Sequence, residues 1–81
     1  MITFDQGAIG KRIKDARLAR GLSRVQVGME FGISEQAVGN WERGRNCPEI
    51  SCLAALCDLL RISVDFLLTG MDSTTLLVAA T

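Results

Sequence analysis

Apolar residues recur along this 81-residue chain in short helical stripes, most of them closed by a glycine. Ile9, Ile13, Ala16 and Arg20 fall on one stripe, with Lys11, Arg12 and Lys14 elsewhere. That spacing predicts a first helix over residues 9–20, followed by Gly21, whose missing Cβ suits the left-handed residue after a last turn. Leu22 is a short apolar plug. Ser23, with Gln26 three residues on, forms a capping box for a second helix that runs to about Phe31, with Val27 and Phe31 inward. Gly32 closes it. Ile33 is apolar, and Ser34 caps a third helix over residues 35–43, closed by Gly44. Pro48 ends the following loop. A fourth helix over residues 50–61 carries Leu53, Leu56, Cys57 and Leu60 as its stripe. Ser63 caps a short fifth helix with Val64, Phe66, Leu67 and Leu68, ending at Gly70. The expected fold is all-α, a compact five-helix domain over residues 1–70. A tail over 71–81 carries Leu76-Leu77-Val78-Ala79-Ala80 and serves as a dimerisation segment or a linker.

The most informative segment is Ser23 to Gly44. Two short helices are joined by Phe31-Gly32-Ile33-Ser34, a glycine turn, an inward aliphatic and a capping serine. Such a joint lets the second helix cross the first steeply, which is helix-turn-helix geometry. Gly28 supports it, because helix two needs a small residue where helix three passes close by. At 100° per residue, Val38 and Trp41 of helix three point one way, into the core. Gln36, Asn40 and Arg43 share the opposite face, with Gly39 between them. Glutamine and asparagine bond bidentately to adenine in the major groove, and arginine binds guanine or phosphate. Glu42 falls on the inward flank beside Trp41. A buried carboxylate needs a cation, and Arg17, flanking the stripe of helix one, is the candidate.

The net charge of zero opposes nucleic-acid binding until its distribution is considered. Residues 10–45 carry eight Lys/Arg against four acids, a net +4, whereas residues 46–81 carry Arg61 against four acids, a net −3. Charge separated in this way describes a front that faces a polyanion and an acidic back. The three cysteines, Cys47, Cys52 and Cys57, are spaced by five, so successive ones sit about 140° apart on a helix and share no face. With no histidine in the chain, the expectation is reduced thiols and no metal, with Cys57 in the core. No run of 18 apolar residues exists and the first residues lack a signal-peptide pattern, so no membrane contact and a cytoplasmic location are expected.

The residues Ile9-Gly10-Lys11-Arg12-Ile13 through Arg17, Gly21-Leu22-Ser23, Gly32-Ile33-Ser34, Trp41-Glu42-Arg43-Gly44 and Pro48 resemble the Cro/phage-repressor helix-turn-helix family. Ser63-Val64-Asp65-Phe66-Leu67-Leu68-Thr69-Gly70 is similar to that family's fifth helix. The resemblance covers about residues 9–70. It implies a lambda-repressor-like five-helix domain that binds operator DNA as a dimer and represses transcription, with a buried Arg17–Glu42 pair. Members commonly carry glutamine at the second position of helix two, where it contacts the DNA backbone. This chain has Arg24, which still reaches phosphate. Gly39 stands where a larger polar residue is usual.

The expected function is therefore a sequence-specific DNA-binding regulator without cofactor. Its base-reading residues are Glu35, Gln36, Gly39 and Asn40, and its phosphate contacts are Ser23, Arg24, Ser34, Arg43 and Arg45. Glu35 either accepts from cytosine N4 or complements the helix N-terminus. Gly39 permits close approach to a DNA backbone or a thymine methyl. Lys11, Arg12 and Lys14 form a solvated face that adds long-range attraction. The partners are double-stranded operator DNA and a second copy of the chain, in a homodimer built through helix five and the tail. The alternative is an antitoxin or anti-regulator that acts mainly by protein–protein interaction. Catalysis is not expected, because no Ser or Cys has a visible base partner.

Overall fold

The computed structural model describes residues 4–71 and places five helices there: α1 (Gln6–Ala19), α2 (Arg24–Phe31), α3 (Glu35–Glu42), α4 (Ile50–Leu60) and α5 (Val64–Thr69). No strand occurs among the described residues. The tail expected over 71–81 lies outside them, apart from Met71.

α1 begins three residues before its first stripe residue. Asp5 is the reason: its carboxylate accepts from Gly7 N at 2.9 Å and Ala8 N at 3.3 Å, which satisfies first-turn amides ahead of the apolar pattern. The capping box at α2 is complete. Ser23 Oγ accepts from Gln26 N at 3.0 Å, and Gln26 Oε1 accepts from Ser23 N at 2.7 Å. Ser34 and Ser63 cap α3 and α5 in the same local manner, accepting from Ala37 N at 3.1 Å and Phe66 N at 2.9 Å. Three helices stop one residue earlier than their patterns predict, with Arg20, Arg43 and Arg61 as the C-terminal caps of α1, α3 and α4. Arg61 adopts a left-handed φ of 58°, a conformation usually left to glycine.

The core is assembled from all five helices: Ile9 and Ile13, Val27, Val38 and Trp41, Leu56, Cys57 and Leu60, and Leu67. Phe31 meets Trp41 edge to face, with ring centroids 6.5 Å apart, locking α2 onto α3. Arg20 does not join the α1 stripe. It is exposed and its Nε donates to the Leu59 carbonyl at 3.4 Å. The inward position one turn beyond Ile13 belongs to Arg17, which continues the spacing of four from Ile9. Arg12 is also not part of a solvated face. It is half-buried, and its Nη1 donates to the Leu67 carbonyl at 3.1 Å, placing a cation on the C-terminal end of α5.

Two helix glycines mark close backbone approaches. A Cβ on Gly28 would lie 2.6 Å from the Ile33 carbonyl oxygen, so α2 is pressed against the turn leading into α3. A Cβ on Gly10 would lie 2.3 Å from the Trp41 carbonyl oxygen and 2.6 Å from that of Glu42. Here α1 crosses the end of α3 backbone to backbone. The helix stripe gives no hint of this contact, since a glycine there reads as no more than a weak helix residue. Cys47 is exposed in the loop after α3, Cys52 is half-buried and Cys57 is in the core. No described helix is long and apolar enough to cross a membrane.

Gly10→Ala would improve intrinsic helix propensity, yet it should lower stability by about 1–3 kcal/mol in urea unfolding, because the methyl meets rigid carbonyls. Burial raises the Cys57 thiol above its ordinary value of 9.0, so the folded chain holds that proton more tightly than the unfolded chain. The corresponding stability is present below 9.0 and is lost as pH rises through the elevated folded value. Denaturant titrations below and above that pH should show an alkaline loss of stability that is smaller in Cys57→Ala.

Candidate nucleic-acid interface

The roll of α3 is set by what it buries. Val38 is fully buried and Trp41 nearly so, which turns positions 36, 40 and 43 outward, as the 100° spacing predicts. A second anchor stands at its end. Arg17 Nε donates to Glu42 Oε2 at 2.6 Å and Nη2 donates to Oε1 at 3.2 Å, in a side-on bidentate pair. Nη1 donates to the Leu22 carbonyl at 2.8 Å. The two side chains are 8% and 4% exposed, so α1, the turn into α2 and the end of α3 are fastened by one desolvated cation.

On the outer face, Arg24, Glu35, Gln36, Gly39 and Arg43 line one shallow depression of about 250 Å³. It lies between the first turn of α2 and α3. Arg24 Nη2 sits 3.5 Å from Glu35 Oε1, an exposed pair of the kind worth little in water. Both residues belong to the lining of the depression. Gln36 is exposed and Asn40 half-buried. Arg43 Nη2 donates to Asn40 Oδ1 at 3.1 Å. Its guanidinium lies across Gly39, where a Cβ would be 3.1 Å from Nη1 and 3.2 Å from Nη2. Gly39 is consequently buried, covered by the arginine.

Ser23 and Ser34 are exposed at the starts of α2 and α3, each with its oxygen committed to an N-cap bond. Arg45 is exposed in the loop after Gly44 and is not among the residues around the depression, although its backbone N–H donates to the Asn40 carbonyl at 2.9 Å. The Arg24–Glu35 and Gly39–Arg43 associations are not evident in the sequence pattern. The first spans two helices and carries no local signal. The second is open to a spacing argument, since residues four apart on a helix are neighbours.

Residues 13–67 match the model of a family described as helix-turn-helix. The chain belongs to the helix-turn-helix family, in its Cro/phage-repressor branch. Among curated relatives it is similar to the SPbeta prophage-derived uncharacterized HTH-type transcriptional regulator YonR of Bacillus subtilis (strain 168). The two are 36% identical over 61 residues, covering 75% of this chain and 56% of the relative. The helix-turn-helix chain spans about half the length of the first curated relatives it matches. Among solved structures it resembles the P22 c2 repressor in complex with synthetic operator 9T, with a TM-score of 0.72 and 33% identity over 78% of this chain and 96% of that one. It also resembles the restriction-modification controller protein C.AhdI from Aeromonas hydrophila, with a TM-score of 0.69 and 28% identity over 78% and 96% of the two chains.

Arg17→Ala would leave Glu42 as an unpaired buried carboxylate, and breaking one side of such a pair typically costs about 3–5 kcal/mol. Thermal melting should show a large fall in Tm. An unchanged Tm would mean that the pair does not hold α3 in place.

Proposed function

We propose that this helix-turn-helix domain binds operator DNA and serves a transcriptional repressor. The observation that carries the reading is the roll of α3. Its apolar side and Glu42 are spent on the core and on Arg17, leaving Gln36, Asn40 and Arg43 on an outer face beside Arg24. A helix presented in this way fits the major groove, where side-chain amides pair with base edges. The resemblance to a repressor solved with its operator supports the same reading.

In this reading Gln36 and Asn40 read bases from the start and middle of α3, with Glu35 beside them at its first turn; Gly39, covered by Arg43, is not open to close approach by DNA. Arg24 and Arg45 hold phosphates, helped by the amide ends of α2 and α3 at Ser23 and Ser34. The Arg24–Glu35 pair is weak enough for a phosphate to replace the carboxylate. A homodimer would double the site by presenting two copies of α3 about one DNA turn apart. Val64 and Met71, 37% and 41% exposed at the carboxy-terminal end, offer apolar surface for it. The role is binding rather than catalysis, carried out in the cytoplasm.

A gel-shift series on selected operator DNA tests the reading. Gln36→Ala should lose about 1–3 kcal/mol of discrimination at one or two base positions and little elsewhere. Arg24→Ala and Arg45→Ala should weaken all sequences alike and lower the slope of log K against log salt by about one unit. Two half-sites one helical turn apart should bind more tightly than one half-site or other spacings. Equal affinity for all DNA, with no salt dependence, would favour a module that binds proteins instead.

A further inference from the structure

Gly39 of α3 and Arg43, the cap of that helix, form a unit that the DNA-binding reading does not require. Gly39 is the helix residue whose missing side chain leaves room for the Arg43 guanidinium: a Cβ there would lie 3.1 Å from Nη1 and 3.2 Å from Nη2, closer than ordinary contact. The guanidinium is held there by its bond to Asn40 Oδ1 at 3.1 Å. An arginine at a helix end usually extends into water, where it meets a phosphate as a point of charge. This one is folded back onto the face that carries Gln36 and Asn40 and lines the same depression as Gln36.

The chemistry of the pair is one-sided. A guanidinium has five N–H donors and no acceptor, so it bonds to the carbonyl oxygen of the Asn40 amide. One of that oxygen's two lone pairs is thereby engaged, which leaves Asn40 a single acceptor position beside its two amide N–H donors. Asn40 presents its amide N–H groups, next to the remaining N–H groups of Arg43. The edge is richer in donors than in acceptors. In the major groove the base with two adjacent acceptors is guanine, through O6 and N7.

We propose that Arg43, seated on Gly39 and oriented by Asn40, is a specificity-determining residue that selects guanine opposite the C-terminal half of α3. This reassigns Arg43 from the phosphate contacts to the base-reading set, and it gives Gly39 the role of a seat. The inference rests on the DNA-binding reading.

The test is selection of bound duplexes from random oligonucleotides by the full chain and by two variants, followed by affinity and salt titrations on the selected site, in which Arg43→Ala is added as a third. Arg43→Gln replaces the all-donor fork by an amide that does not match two adjacent acceptors. Gly39→Ala keeps Arg43 and removes its seat; alanine is the better helix former and the atoms it meets belong to a flexible side chain, so the fold should survive. The parent should select a guanine at one fixed position of the site, and changing that guanine to adenine should weaken binding about tenfold or more. In both variants that preference should fall to about threefold or less, with the salt slope unchanged and with the preference opposite Gln36 retained. A guanine preference that survives in either folded variant overturns the proposal. So does a parent consensus without guanine at such a position, or an Arg43→Ala variant that weakens every sequence equally and lowers the salt slope by about one unit, as a phosphate contact would. If the parent enriches no sequence, the DNA-binding reading falls and this inference falls with it.

Discussion

A guanidinium taken out of water at the meeting of three chain segments must find a carboxylate and carbonyl oxygens there, since an unpaired buried charge costs several kcal/mol. Arg17 finds both, in Glu42 at the end of α3 and in the carbonyl of Leu22 at the turn into α2. The pair need not add much net stability over a well-packed apolar substitute. What it adds is direction. Glu42 can satisfy the cation only from one roll of α3, and in that roll Val38 and Trp41 enter the core while Gln36, Asn40 and Arg43 leave it.

The pair in turn depends on how closely the backbones approach. α1 lies against the end of α3 at a distance that only a glycine at position 10 permits, with the Trp41 and Glu42 carbonyls in the space a Cβ would take. Gly44 completes the contact. It turns with a φ of 75° directly beneath the start of α1, and a Cβ there would sit 2.8 Å from the Gly7 Cα. Any side chain at these points would push α1 and α3 apart and lengthen the reach from Arg17 to Glu42. Interiors packed this tightly transmit such shifts rather than absorb them.

The electrostatics follow from the same arrangement. Four positive charges of the first half are given structural or local partners: Arg17 takes Glu42, Arg12 takes the end of α5, Arg20 takes the end of α4, and Arg24 takes Glu35. Of these, the Arg24–Glu35 pair is the exposed ion pair, and an exposed pair exchanges partners at little cost. A neutral chain can therefore keep cations on its outer face, because its buried cation is committed to Glu42 while Arg24 and Arg45 stay at the surface.

Much of the fold is legible in local order along the chain. Ser23 with Gln26, Ser34 and Ser63 announce helix starts because a cap bonds backbone only two or three residues away, and Gly32 and Gly70 announce stops because a left-handed residue needs no distant partner. The apolar stripes of α3 and α4 point to the residues found in the core for the same reason: a helix's period is internal to it. The Arg17–Glu42 pair is within reach of the pattern, since a carboxylate beside an inward tryptophan has to be answered by a cation and Arg17 flanks the stripe of helix one. The use of Gly10, the turn of Arg12 onto α5 and the exposure of Arg20 are not. Each depends on contacts that join residues about 30 to 55 apart in sequence, and no pattern within one helix says at what distance or angle another will cross it. The folding of Arg43 over Gly39 lies between these cases. Its spacing is local, but an exposed arginine chooses among several rotamers, and its place is settled by the Asn40 oxygen and the open surface of a glycine together.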